Sequence, residues 1–102
     1  MAKVSATGTP RAAVAPVPAS ATARGVKVLV QPTSASGTGT LTARDSGSED
    51  FQDVQLGAAE TTTVDLSGDD VTVTIAVSGL TAIKVTSDDN GDEFDILVTP
   101  LN

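Results

Sequence analysis

Hydrophobic and polar residues alternate along much of the chain after residue 25. In the segment 71–77, Val or Ile occupies every second position, and Thr or Ala occupies the positions between them. Successive side chains of a strand point to opposite faces, so a period of two residues predicts strands with one apolar face. On this basis we predict strands at 26–31, 38–43, 51–56, 61–66, 71–77, 81–87 and 94–98.

The spacing of these segments predicts the fold class. They follow one another about every 10 residues, a spacing typical of all-β domains, and Gly, Ser, Asp or Asn residues separate them. No segment carries apolar residues at the spacing of a helical stripe. We therefore predict an all-β fold, an antiparallel β-sandwich or barrel of about seven short strands. Gly39 marks the segment 38–43 as an edge strand or a kinked strand.

The alternation also predicts which side chains form the core. Both phenylalanines, Phe51 and Phe94, are expected there. The other predicted inward residues are Val26, Val28, Val30, Val54, Leu56, Thr62, Val64, Leu66, Val71, Val73, Ile75, Val77, Ile83, Val85, Ile96 and Val98.

The first 24 residues have a different composition. They contain eight of the 14 alanines and three of the five prolines. Proline lacks a backbone N–H and fixes φ, so a continuous helix is not expected and extended geometry is favoured. We predict two units, an extended or disordered Pro/Ala-rich arm over 1–24 and a β-sandwich domain over 25–102.

Two interpretations of the arm stay open at this point. It is either a flexible tail, or an extended segment that becomes ordered against a partner. In the second case the arm binds through its few larger side chains. The predicted partner-binding residues of the arm are Val4, Arg11, Val14 and Val17.

Charge is distributed unevenly along the 102 residues. Residues 1–44 hold five basic residues and no acidic one, whereas 45–102 hold all 13 acidic residues and one basic residue. The two parts carry +5 and −12, which give the net charge of −7. Such asymmetry predicts docking of the basic arm on an acidic surface, either a neighbouring copy or another protein; scattered charges on solvated tails are the alternative.

Size and composition limit how the fold is stabilised. After residue 24 there are 22 Val, Leu, Ile and Phe residues, enough for one thin core. Small domains bury a modest share of their surface and often add disulfides, a metal or oligomerisation. The chain has no Cys and no His, which excludes disulfides and the usual zinc and copper sites. Oligomerisation is then the most available supplement, with marginal stability alone as the alternative.

One acidic cluster invites comparison with a metal site. It runs from Asp88 to Asp95 and contains Asn90-Gly91. Calcium prefers several carboxylate and carbonyl oxygens, but the Gly position of an EF-hand loop is not matched. Asn-Gly between two alternating segments instead predicts a type I′ hairpin turn. We predict the turn and no metal site, and a weak calcium site remains the alternative.

No residue pattern indicates catalysis or a cofactor. Ser and Thr are abundant, but a nucleophile needs a neighbouring base, and there is no His. No phosphate-binding Gly-rich motif occurs, and the chain lacks Trp and Tyr. The prediction is a protein that is not an enzyme, with no catalytic residues and no cofactor.

The same features argue against two classes of partner. The arm has no Arg cluster and no interleaved aromatics, so nucleic-acid binding is not expected. No apolar run approaches the length of a membrane span, and the start Met1-Ala2-Lys3-Val4-Ser5 lacks an apolar signal core. We therefore expect synthesis in the cytoplasm and no membrane partner.

The chain as a whole resembles the small capsid decoration, or cement, proteins of tailed phages. The resemblance rests on the front segment, MAKVSATGTPRAAVAPVPASATAR, and the back segment, VTVTIAVSGLTAIKVTSDDNGDEFDILVTP. It implies a virion structural protein on the capsid surface, made in the host cytoplasm. It also implies a homo-oligomer, with a trimer favoured, that binds the major capsid protein and neighbouring copies and clamps them with its arms.

Two other functions fit the sequence. One is a different phage structural β module, from the neck, tail or fibre base. The other is a bacterial surface β-sandwich that binds a ligand. For the arm hypothesis, truncation of residues 2–24 is expected to abolish assembly and to leave the β domain folded.

Overall fold

A computed structural model gives the fold of the chain. It describes residues 2–8, 11–17, 24–35, 37–45, 50–53, 63–77, 79–87 and 93–101. Within these ranges the regular structure consists of strands, with no helix. The strands are β1 (Ala2–Ser5), β2 (Ala12–Pro16), β3 (Val26–Ser34), β4 (Thr38–Asp45), β5 (Gln52–Asp53), β6 (Thr63–Asp65), β7 (Val71–Ile75), β8 (Leu80–Ser87) and β9 (Glu93–Pro100).

The strands form two antiparallel sheets, and the predicted all-β fold class is confirmed. The four-stranded sheet has the order β1-β9-β3-β7. The five-stranded sheet has the order β2-β8-β4-β5, and β6 pairs with β4 beside β5. The two sheets face each other across one apolar layer, as in a β-sandwich.

The longest strand pairs lie at the centre of the sheets. In the four-stranded sheet β3 pairs with β9 from Val26↔Pro100 onward, and in the five-stranded sheet β4 pairs with β8. Their inward side chains alternate with outward ones, as the sequence pattern predicts. The core consists of Ala13, Ala15, Val26, Val28, Val30, Leu41, Ala43, Val64, Leu66, Ile75, Leu80, Ile83, Val85, Phe94, Ile96 and Val98.

The N-terminal segment supplies one outer strand of each sheet. β1 pairs with β9, and β2 pairs with β8. Between them the chain crosses from one sheet to the other, where the backbones of Thr7 and Ala12 exchange two hydrogen bonds (N···O 3.0 and 2.8 Å). The segment predicted as an arm separate from the body is thus extended, and the described part of it is built into the chain's own sheets.

Proline in β2 fits this arrangement because of its place in the hydrogen-bond ladder. Ser87 donates its N–H to the carbonyl of Arg11 (2.7 Å), and Val17 donates to Thr81 (3.0 Å). In an antiparallel pair such bonds recur at every second residue, so the odd-numbered residues of β2 bond to β8. Pro16 therefore stands where the missing N–H would point to solvent, the position that an edge strand tolerates.

Gly25 joins the N-terminal segment to the body. Its φ is +117°, and a Cβ at this position would overlap the carbonyl oxygen of Ile75. Its own carbonyl accepts a hydrogen bond from the N–H of Leu101 (3.1 Å). Only glycine adopts this backbone conformation beside a neighbouring strand without strain, which explains the glycine immediately before β3.

Two predictions about individual strands were wrong. β4, predicted as an edge or kinked strand, is an inner strand that pairs on both sides; Gly39 fits there because a Cβ would lie 3.1 Å from the Val85 side chain and 3.2 Å from the Leu66 side chain, closer than ordinary van der Waals contact. Val77, predicted as an inward residue, is 41% exposed, because β7 ends at Ile75.

Several predicted inward residues lie outside the described ranges: Val54, Leu56 and Thr62. The predicted turn at Asn90-Gly91 lies outside them as well. The other predicted inward residues of β3, β6, β8 and β9 are buried.

Adjacent positions of β2 provide a matched test that this strand belongs to the fold. Ala15 is fully buried and Val14 is 41% exposed. We expect Ala15→Asp to lower the free energy of unfolding by about 3 kcal/mol or more, because it buries an unpaired charge. Val14→Asp, one residue away on the solvent side, is expected to cost about 1 kcal/mol or less. Urea denaturation of both variants measures the difference. Equal, small effects would contradict the burial of β2.

Candidate partner-binding surface

The four predicted partner-binding residues do not share one surface. Val4 in β1 and Val17 after β2 are partly buried and pack against the chain's own core. Arg11 precedes β2, is half-buried and is already engaged in an interaction. Val14 is the one of the four that points outward from a sheet. Of the predicted set, Val14 is therefore the side chain most available to a partner.

The outward position of Val14 follows from the sequence of β2. The strand has the order Ala12-Ala13-Val14-Ala15-Pro16, and its burial alternates so that Ala13 and Ala15 face the core. The larger Val14 and Pro16 face solvent. Larger apolar side chains usually face the core, but in β2 the small alanines do. Both faces of β2 are therefore apolar.

Val14 lies next to a lysine on the neighbouring strand. In the register of the five-stranded sheet, Val14 is opposite Lys84 of β8, and Lys84 is opposite Thr42 of β4. Val14 and Lys84 form a pair without direct backbone hydrogen bonds, the type in which opposing side chains are closest. The aliphatic part of the lysine and the valine therefore lie side by side on the outer face.

The next row on this face contains a second cation. Pro16 is opposite Ala82, and Ala82 is opposite Arg44. Ala82 is 2% exposed although it is on the outer face. Its small side chain lies at the base of a layer formed by larger neighbours.

The ring of Phe51 contacts both cations. The Arg44 guanidinium carbon is 5.2 Å from the centroid of its ring, and Lys84 Nζ is 4.7 Å from the centroid. Each contact of this kind stabilises by about 0.5–1 kcal/mol at an exposed site. The prediction that Phe51 belongs to the core was wrong: Phe51 is half-buried on the outer face, because β4 and β8 offer it two cations there. We call the surface formed by Val14, Pro16, Arg44, Phe51 and Lys84 the Phe51 patch.

Sequence reasoning identified Val14 and missed the rest of the patch. A signal for Lys84 was present, since it is the one basic residue after residue 44. Lys84 points outward from β8, an inner strand, so its aliphatic chain and its charge contact side chains of the neighbouring strands. The identity of these side chains depends on the pairing of β4 with β8, which the sequence pattern did not specify.

A second cluster of polar side chains lies on the other sheet. Asp95 of β9 accepts a hydrogen bond from the Ser5 hydroxyl (2.5 Å) and forms an ion pair with Lys3 (3.3 Å). The Ser5 hydrogen bond is the main cause that lowers the pKa of Asp95, and Lys3 adds to it. These contacts attach β1 to β9 through side chains as well as backbone.

A shallow cleft of about 310 Å³ adjoins this cluster. It is lined by Ser5, Ala6, Thr33, Glu93, Phe94 and Asp95. In the described ranges no group of three or more Asp and Glu residues is placed to hold a metal ion, and residues 88–92 of the predicted acidic turn lie outside those ranges. The described ranges also contain no helix long and apolar enough to cross a membrane.

Comparison with known proteins adds no relative to this picture. The chain matches no protein-family model, no curated protein and no solved structure.

The Ser5–Asp95 contact predicts a pH-dependent contribution to stability. Asp95 has a lower pKa in the folded than in the unfolded chain, so its contribution is present above the unfolded pKa of about 4 and is lost as the pH falls through the lowered value. We expect Ser5→Ala to lower the melting temperature at pH 7 and to lower it less at pH 2. Thermal unfolding at both pH values is the measurement. A deficit of the same size at pH 2 would show that Ser5 acts without the carboxylate.

Proposed function

We propose that this chain is a structural protein that decorates and stabilises a phage capsid, and that it binds the major capsid protein through the Phe51 patch. The observation that carries the proposal is the patch itself, an aromatic ring in contact with two cations beside an exposed valine. Aromatic residues and arginine are enriched at protein interfaces and among the residues that dominate binding.

The charge around the patch favours a protein partner with acidic groups. The chain carries −7 overall, yet Arg44 and Lys84 are both directed at the ring of Phe51. Asp45 follows Arg44 in the sequence and Asp50 precedes Phe51, and both are engaged in interactions, so the two cations of the patch have acidic neighbours. Such a mixture of charges fixes the orientation of a partner more than it adds affinity.

In this proposal the N-terminal segment does not act as the clamping arm that the phage resemblance implies. The arm that the phage resemblance implies becomes ordered only when it binds its partner, and it loses conformational entropy on binding. Here β2 is already paired with β8, so the entropy of ordering Val14 and Pro16 is lost when the chain folds. A surface that is ordered before binding retains more of its contact energy as affinity.

Repetition on a shell makes a modest surface sufficient. Each copy that binds a capsid subunit and touches neighbouring copies is held by several contacts at once. A neck, tail or fibre-base module would use the same patch on another virion protein, and the identity of the bound protein distinguishes these functions.

Charge reversal at two lysines tests the proposal. Lys84 belongs to the patch, and Lys27 is exposed on the other sheet and opposite Thr74. Both Lys84→Glu and Lys27→Glu change the net charge by the same amount. We expect Lys84→Glu to weaken binding by about tenfold or more, the usual effect of losing a central interface residue, and Lys27→Glu to leave it nearly unchanged.

Binding is measured by co-sedimentation of the purified chain with assembled shells of the virus that encodes it, stripped of accessory proteins. Saturable binding at a fixed ratio to the capsid protein is expected for the parent. Absence of binding by the parent would overturn the decoration function, and equal losses for the two variants would overturn the assignment to the patch.

A further inference from the structure

The two lateral sides of the sandwich are built differently. On one side the N-terminal segment supplies β1 and β2, and the chain crosses between the sheets. On the opposite side the four-stranded sheet ends in β7, which pairs with β3. Within the described ranges no strand pairs with the other edge of β7.

The phase of the ladder shows which backbone groups of β7 point outward. The N–H of Leu101 donates to the carbonyl of Gly25, so the odd-numbered residues of β3 bond to β9 and the even-numbered ones face β7. Val28 is opposite Val73, and Val73 therefore bonds inward to β3. The N–H and C=O groups of Thr72 and Thr74 consequently point away from the sheet, along its open edge.

Residues 71–77, which include β7, lack the sequence features that usually prevent strand pairing at an edge. Residues 71–77 contain no charged residue and no proline, and β7 has no register shift against β3. Val71 and Val73 are only partly buried against the core, and Val77 is 41% exposed. An edge strand with these properties is a template for another strand.

We propose that this edge pairs with β7 of a second copy of the chain, antiparallel and about a two-fold axis at Val73. The sequence Val-Thr-Val-Thr-Ile reads nearly the same in both directions. In this register Thr72 is opposite Thr74 of the other copy, and the two Val73 residues are opposite each other. The outward groups of Thr72 and Thr74 then form the hydrogen-bonded pairs, and Thr–Thr pairs on one face are favourable neighbours.

The flanking charges are compatible with this register. Asp69 and Asp70 precede β7, and the pairing places them opposite Val77 and Ala76 of the other copy. No acidic residue therefore faces another across the two-fold axis, although each chain carries −7. The same surface on both copies meets itself, as a two-fold interface requires.

This inference goes beyond the proposed function and uses a different surface. Pairing joins the two four-stranded sheets into one continuous sheet and leaves the Phe51 patch, on the five-stranded sheet, accessible. It gives two copies in an assembly, not the three that the phage resemblance implies.

Introduced cysteines test the register directly, because the chain has no cysteine of its own. Val73→Cys places the two thiols opposite each other, with Cα atoms about 4.5–5.5 Å apart, within the range that a disulfide spans. Val77→Cys is the control: Val77 is more exposed, but the two copies of it would lie about 27 Å apart, eight residues along the strand.

Under mild oxidation of the full chain, we expect Val73→Cys to form a covalent dimer at least about tenfold faster than Val77→Cys, since only its thiols meet the disulfide geometry. Equal rates, or faster crosslinking of the more exposed Val77→Cys, would overturn the register.

The native mass provides a measurement that does not depend on the cysteine variants. By light scattering we expect the parent chain at twice its 10.2 kDa. The double variant Thr72→Lys, Thr74→Lys, which places lysines opposite lysines on the solvent face, is expected at 10.2 kDa. A parent chain that stays monomeric up to high concentration, or that has three times the mass of one chain, would contradict the two-fold pairing. Lys84→Glu is expected to leave the mass unchanged, so failure here and failure of capsid binding are separate outcomes.

Discussion

The apolar layer between the two sheets depends on the strands that close its side at β1 and β2. That layer is thin: its buried side chains are mostly Val, Leu, Ile and Ala, with Phe94 as the aromatic member. A chain of this size without disulfides has little stability to spare. Ala13 and Ala15 lie over the core from β2, and backbone hydrogen bonds attach β1 to β9 and β2 to β8. The N-terminal segment therefore covers one side of the core with the edge strands β1 and β2.

This construction places side chains that stabilise the fold and side chains of the Phe51 patch on the same strand. The inward alanines of β2 fix the strand against the core, and the same strand presents Val14 and Pro16 on the outer face beside Lys84. The Phe51 patch is thus composed of residues from strands that are adjacent in the sheet but distant in the sequence. The opposite side of the sandwich, at β7, has a different character, since its outward groups are backbone N–H and C=O and its side chains are uncharged. The molecule accordingly has one surface suited to a charged partner and one edge suited to its own copy.

The sequence was sufficient for the body of the fold and insufficient for its N-terminal strands. The alternation of apolar and polar residues in 26–31 and 94–98 predicted β3 and β9 with the correct inward faces, because each strand has one apolar side. In 12–16 alanine, valine and proline are apolar on both sides, so the period carried no information about which face is buried. Proline indicated extended geometry but not strand pairing, and Pro16 fits in β2 because its position there needs no N–H. Phe51 was misplaced for a related reason: a large aromatic residue favours the core until a pair of cations on an adjacent surface provides another environment.

Amide hydrogen exchange of the free full-length chain tests the central claim, that the N-terminal segment is paired within the sandwich before any partner binds. In the hydrogen-bond ladder, the N–H groups of Val4, Ala6, Ala13, Ala15 and Val17 bond to the paired strand β9 or β8. The N–H groups of Lys3, Ser5 and Val14 point away from the paired strand. We predict slow exchange at the first set and fast exchange at the second, so that protection alternates along β1 and β2. Uniformly fast exchange over residues 2–17, at the rate of an unstructured peptide, would contradict the account and would return this segment to the role of a free arm.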